Sequence, residues 1–335
     1  MARLPLMARL KIDPYILAIL GMVVIASVLP ARGDSAVWFS HLTDGAIALL
    51  FFLYGGRLSR QAVIAGITHW RLQLAVLFST FVLFPVLGLG IGVLARPLLS
   101  PELSLGIVFL SVLPSTVQSS IAFTAIAHGN VSAAVCAASL SNLVGVLLTP
   151  LLVGVVMSAH GQGFSLDALT NIVLQLLAPF VAGQALRPLI GSWLERRRGL
   201  LSYFDRGTIL LVVYTAFSEG VVHGLWQQLE VSNLVLLLLI DTLLLAIVLG
   251  LTTSLSRRLG FSKADEIVIV FCGSKKSLAS GVPMANILFA GASVGMMVMP
   301  LMLFHQIQLM ACAVLARRYA AQAEAADSAA ADSAG

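Results

Sequence analysis

From Val231 to Ser256 the only charged residue is Asp241, and from Leu72 to Ala95 there is none. Stretches this long and apolar match a bilayer, because a helix needs about 20 apolar residues to cross a hydrocarbon core about 30 Å thick. The same ruler laid along the chain finds spans at 14–30, 43–57, 72–95, 104–127, 132–158, 168–190, 207–224, 233–255, 264–288 and 292–316. Hydrophobic residues make up 59% of the chain and charged residues 10%, whereas a soluble domain carries roughly 25% charge. The architecture implied is an all-α membrane protein with ten transmembrane helices. Once the charges are placed, the net charge of +5 describes loops at a membrane surface, and nucleic acid is excluded as a partner.

Of the 20 Lys and Arg, sixteen fall in segments that a ten-span chain places on one side: 1–13, 57–71, 187–206, 257–263 and 317–318. The opposite loops hold Arg32 and Arg96, and Lys275 and Lys276 lie within a span. By the positive-inside rule both termini face the cytoplasm, in a multi-pass inner-membrane protein. The basic start, 1–13, followed by an apolar run resembles a signal peptide. The run is bilayer-long without a small-residue cleavage site, so it reads as a retained first helix. Residues 319–335 are mostly Ala, Ser, Asp, Glu and Gln and read as a disordered cytoplasmic tail. Cys136, Cys272 and Cys312 sit in apolar runs as small core residues, with neither disulfide nor metal-ligand spacing.

Five spans in each half, 14–158 and 168–318, require the second half to be inverted relative to the first, the plan of many secondary transporters. The fourth span is interrupted at Pro114-Ser115-Thr116 and the ninth at Gly273-Ser274-Lys275-Lys276-Ser277. Paired interruptions in corresponding spans point to a binding site near the midplane, and these two stretches are expected to be non-helical and to approach each other. Lys275 and Lys276 lie about 17 Å along their span. A lysine there costs about 2.5–3.5 kcal/mol even on a lenient insertion scale. Either the pair holds the helix break together, or one of the two lines a water-accessible site.

Gln118, Ser119 and Ser120 follow the first break, while Ser139 and Asn142 share a face of the fifth span. Together with Pro114, Ser274, Lys275, Lys276 and Ser277 they form the candidate set for substrate or ion. Plain interhelical hydrogen bonding is the alternative for each serine. Glu219 and Asp241 are acids within spans, and His305 and Gln308 share a face of the tenth. Glu219, Asp241 and His305 are candidate proton or charge partners.

The strings Leu113-Pro114-Ser115-Thr116-Val117-Gln118-Ser119-Ser120, Leu148-Thr149-Pro150 and Phe271-Cys272-Gly273-Ser274-Lys275-Lys276-Ser277-Leu278 resemble the bile acid:sodium symporter family, in its SBF-like branch. The likeness covers roughly 12–318. It implies two inverted five-helix repeats, with a core domain of spans three to five and eight to ten, in which broken helices 4 and 9 cross, and a panel domain of spans one, two, six and seven. The best-understood branch binds two sodium ions at that crossing through Ser, Thr, Asn, Gln and one Glu. Here two of those positions fall on Ala134 and Ala138, the Glu falls near Val270, and the amides fall on Ser274 and Lys275. A Na⁺ site, if kept, would lie near Gln118, Ser120 and Asn142. A lysine ammonium in its place would act as a tethered cation, leaving binding insensitive to Na⁺ and responsive to pH.

The function implied is secondary transport of a small anionic organic solute, bile-acid-like or similar, by alternating access, coupled to Na⁺ or H⁺ and without an organic cofactor. Two other classes compete: a membrane regulatory protein that transports nothing, and a receptor linked to its ligand through a buried lysine. No paired Asp, His-Glu-x-x-His or Gly-x-Ser-x-Gly arrangement points to an enzyme.

Overall fold

The computed structural model describes residues 14–57, 69–159, 166–289 and 294–334, and within them the secondary structure is helical, with no strand. The helices are α1 (Pro14–Val28), α2 (Asp34–Arg57), α3 (Trp70–Phe78), α4 (Phe84–Ala95), α5 (Pro101–Val112), α6 (Gln118–Ile126), α7 (Val131–Ala159), α8 (Leu166–Arg196) and α9 (Arg198–Val222). A single turn at Leu225–Gln228 leads to α10 (Val231–Arg258), α11 (Lys263–Gly273), α12 (Leu278–Leu288) and α13 (Val294–Ala334). Seven stretches among the described residues are long and apolar enough to cross a membrane: Asp34–Arg57, Trp70–Ala95, Val131–Val155, Gly199–Val222, Val231–Arg258, Lys263–Leu288 and Val294–Ala325. Leu17–Val28 and Pro101–Val112 are shorter apolar helices. The basic residues of 1–13, with Arg60, lie outside the described residues.

Two boundaries differ from those read in the sequence. The segment from Tyr319 is helical through Ala334 instead of disordered. Alanine is the strongest helix former, and with no Gly or Pro before Gly335 nothing stops α13 from propagating. The second span begins at Asp34, nine residues before 43, with an acid in its first turn that suits the positive end of the helix dipole.

Helices α5 and α11 start from short-range chemistry. The Ser100 hydroxyl accepts from the Leu103 N–H ahead of Pro101, and the Ser262 hydroxyl accepts from the Asp265 N–H. α2 and α8 pack backbone to backbone. A Cβ built on Gly55 would stand 1.9 Å from the Phe180 carbonyl oxygen, and one on Gly183 would stand 1.9 Å from that of Phe52. Close approach of this kind is what small residues allow between helices in a membrane. The largest apolar cluster joins Phe84, Phe109, Phe217, Phe289 and Phe304 and surrounds the two helix interruptions.

Candidate functional site: two broken helices and the cavity beside them

α5 and α6 are separated by a non-helical stretch at 113–117, and α11 and α12 by one at 274–277. Gly273, read from sequence as part of the second break, is the last residue of α11. The two breaks touch: the Ser277 N–H donates to the Pro114 carbonyl at 2.9 Å, and the Ser120 hydroxyl donates to the Phe271 carbonyl at 3.0 Å. Glycines make room for them. Gly145 of α7 meets the Pro114 ring, and Gly281 meets Leu113, each at a distance where an added Cβ would collide. The amide of Ser115 donates to the Ser141 hydroxyl, and Thr149 donates to the Val112 carbonyl. These side chains satisfy backbone groups that the interruption releases.

Lys276 is fully buried, and its Nζ donates to the carbonyls of Thr80 at 2.8 Å and Leu113 at 2.7 Å, with the Phe84 ring 4.2 Å away. Sequence explains why the Thr80 carbonyl is free. Residues Ser79–Leu83 form a π turn, in which the Phe84 N–H bonds Ser79. The residue one further on is Pro85, which has no N–H, so the carbonyl of Thr80 is left for an outside donor. Pro85→Ala would supply a competing N–H. The expected result is a drop in thermal unfolding temperature matching about 1 kcal/mol, and unchanged stability would detach the π turn from the lysine.

The backbone of Lys276 is clamped as well. Its N–H donates to Oε1 of Gln308 at 2.9 Å, and Nε2 of Gln308 donates to its carbonyl at 2.9 Å. Nε2 of Gln308 also lies 2.8 Å from Nδ1 of His305. Lys275, equally buried, is held differently. Its amine has no hydrogen-bond partner and faces the rings of Phe123 at 4.1 Å and Phe271 at 5.2 Å. Ser274 bonds back to Val270 in its own helix. Ser277 caps α12 by accepting from the Ser280 N–H, and Ser280 in turn donates to Oδ1 of Asn142.

A cavity of about 760 Å³ lies against the breaks. Gln118, Ser119, Ser139, Asn142, Ser277 and His305 line it, joined by Thr116. Pro114, Ser120, Ser274, Lys275 and Lys276 do not. Both lysines stand behind the wall of this cavity, where Lys276 meets the carbonyls of Thr80 and Leu113 and Lys275 meets aromatic rings, the arrangement expected of a pair that holds the break together. Glu219 and Asp241 lie away from the cavity as well. Asp241 is buried on α10, neither of its oxygens has a hydrogen-bond partner, and no ion pair among the described residues joins it to a lysine.

The wall opposite the breaks was missed in the sequence. It contains Tyr15, Tyr54, Arg57, Glu195, Asp205 and Arg206. Arg57 grips Asp205 through two bonds, at 2.7 and 3.2 Å, and Arg206 lies over the Tyr15 ring at 5.2 Å. These arginines had been counted with the loop charges that set topology, which hid their place at the cavity wall. Of the residues named for a sodium ion, Asn142 accepts from Ser280, Ser120 bonds Thr116 and Phe271, and Gln118 lines the cavity, while the carbonyls of Thr80 and Leu113 bond Lys276.

Residues 13–321 match the SBF-like CPA transporter family. PA2026 of Pseudomonas aeruginosa is 60% identical over 309 residues, covering 92% of this chain and 93% of that protein. YfeH of Escherichia coli is 55% identical over 313 residues, covering 93% and 94%. Sodium/bile acid cotransporter 7-B of Xenopus laevis is 27% identical over 316 residues, covering 92% of each.

Proposed function

This chain belongs to the SBF-like CPA transporter family, and we propose that it is an inner-membrane secondary transporter, not an enzyme, that moves a small anionic organic solute by alternating access. The observation that carries this reading is the cavity of about 760 Å³ set between two touching helix breaks and an arginine-bearing wall. That volume lies in the range of small-molecule sites. Thr116, Gln118, Ser119, Ser139 and Asn142 offer hydrogen bonds at one side, and Arg206 offers positive charge at the other. Apolar residues such as Leu143, Val146, Phe180 and Ile209 complete the lining, which suits an amphipathic anion, a bile acid among the candidates named by relatives.

The fold behind this proposal is ten spans in two inverted repeats, with α3 to α7 and α10 to α13 as core and α1, α2, α8 and α9 as panel. On that plan the α5–α6 and α11–α12 pairs are the crossed fourth and ninth spans. Arg57 and Arg196 end α2 and α8, Arg197 precedes α9, and Arg206 follows within it, so the positive-inside rule makes the arginine side cytoplasmic and the cavity inward-open. Alternating access would move the paired breaks against the panel.

We propose also that Na⁺ is not the driving ion, since the Lys276 ammonium holds the carbonyls a cation would take. A receptor linked through lysine fits less well, because neither lysine lines the cavity. The test is uptake into proteoliposomes of radiolabelled organic anions, a bile acid included, under imposed Na⁺ or proton gradients. The expected result is uptake with unchanged rate when Na⁺ is replaced by a large organic cation, and about tenfold weaker apparent affinity in Arg206→Gln, the loss of one charge-assisted hydrogen bond. Uptake that needs Na⁺ would remove the tethered-cation reading. No uptake of any anion would favour a regulatory protein.

A further inference from the structure

We infer that His305 is a proton-binding site whose occupancy unlocks the second helix break, which makes H⁺ the ion coupled to transport. The inference rests on the transporter reading above and names the coupling ion of that site. It begins with an amide whose orientation is fixed. The Gln308 side chain meets both backbone groups of Lys276, with Oε1 accepting from the N–H and Nε2 donating to the carbonyl, each at 2.9 Å. A flipped amide would set oxygen against oxygen and N–H against N–H, so this orientation alone satisfies both backbone groups.

The second hydrogen on Nε2 points to Nδ1 of His305, 2.8 Å away. An amide nitrogen donates and does not accept, so Nδ1 must be the acceptor, and His305 must be neutral with its proton on Nε2. A protonated imidazole donates from both nitrogens. It would face the Gln308 amine with two donors and no acceptor. Turning the amide oxygen toward the ring relieves this, and that turn breaks both bonds to the Lys276 backbone. Lys276 is the residue whose ammonium bonds Leu113 in the first break. One proton taken up at the cavity wall, where His305 lies, thereby loosens the joint between the two broken helices. Imidazole is the side chain that titrates near physiological pH, which suits this role.

Other charged groups share the surroundings. Across the cavity stand Arg206, Glu195 and the Arg57–Asp205 pair, with Lys276 behind Gln308. The helices packed on α13 also carry Glu102 on α5, Glu219 on α9 and Asp241 on α10. Asp205 and Asp241 are the rival proton carriers. The hydrogen-bond chain to the break, however, runs through His305.

The test uses the full-length protein in lipid nanodiscs and reads hydrogen exchange of peptides covering 274–284 at pH 7.5 and 5.5, corrected for the intrinsic rates. Wild type is expected to lose protection by about tenfold or more at the acid pH, the equivalent of two lost hydrogen bonds. In His305→Asn, Oδ1 can accept from Gln308 in place of Nδ1 without taking a proton, so protection should stay high at both pH values. Gln308→Ala should be loose at both. Peptides of α2 and α8 report whether each variant is folded. Acid loosening that persists in His305→Asn would overturn the proposal in favour of a carboxylate such as Asp205 or Asp241, and a pH-independent wild type would overturn it outright. Proton-driven uptake of a labelled bile acid, measured alongside, should fall in His305→Asn. If wild type shows the exchange switch and no uptake, the transport reading fails while the proton site stands.

Discussion

Lys276→Met should lower stability by about 2–4 kcal/mol and abolish uptake, whereas Lys275→Met, one residue earlier, should leave stability within about 1 kcal/mol of the parent or raise it. Both side chains are fully buried and both variants keep an unbranched chain of similar length. The difference is what each ammonium leaves behind. Removing that of Lys276 orphans the carbonyls of Thr80 and Leu113, neither of which has an N–H in reach, since Pro85 supplies none and Leu113 lies in a break. Each buried acceptor left alone costs about 1–3 kcal/mol. Removing that of Lys275 loses two ring contacts, worth about 0.5–2 kcal/mol together, and relieves the burial of an amine without a hydrogen-bond partner. Thermal unfolding in detergent and uptake into proteoliposomes read the two variants side by side. Equal effects would mean that the carbonyl contacts of Lys276 do not hold the crossing together.

That contrast marks how far the sequence could be read. A pair of lysines half-way along an apolar span cannot be solvated by lipid, so depth alone announced both the break and its importance. Their roles were not legible, because role depends on which carbonyls another helix has released. The clue lay some 190 residues away in Pro85, a proline inside the otherwise unbroken span 72–95, which only a fold brings beside Lys276. Pro114 and Ser277 were placed correctly at the two interruptions, and they meet by a hydrogen bond. Ser274, Lys275 and Lys276 were expected at the cavity for the same reason and lie behind it, since sequence shows that a helix stops and not which way its side chains then face. Arg57 and Arg206 illustrate the opposite error. The positive-inside rule accounts for a basic residue at a helix end so completely that it leaves no residue over to suggest a binding wall. The tail from Tyr319 was misread because low hydrophobicity signals disorder, while its alanines favour continuing the helix they follow.

The cavity also depends on a contact that involves no polar chemistry. α2 supplies Tyr54 and Arg57 to its wall, and α8 supplies Phe180, Leu194 and Glu195. The two helices are held at backbone distance by Gly55 against the Phe180 carbonyl and by Gly183 against that of Phe52. Gly55→Val would place a branched side chain where the partner's main chain already is. A flexible side chain could swing aside; a helix backbone cannot without moving its whole wall. The expected loss is about 3 kcal/mol or more, at the upper end of overpacking, together with a weakened grip on substrate as Arg57 and Phe180 move apart. Gly45→Val is the internal control. It makes the same change in the same helix, at a position where nothing lies within 4 Å of the added carbon. It should behave as wild type in thermal unfolding and in uptake. Should Gly55→Val unfold at the same temperature as Gly45→Val, the α2–α8 contact would not be what holds the panel side of the cavity in place.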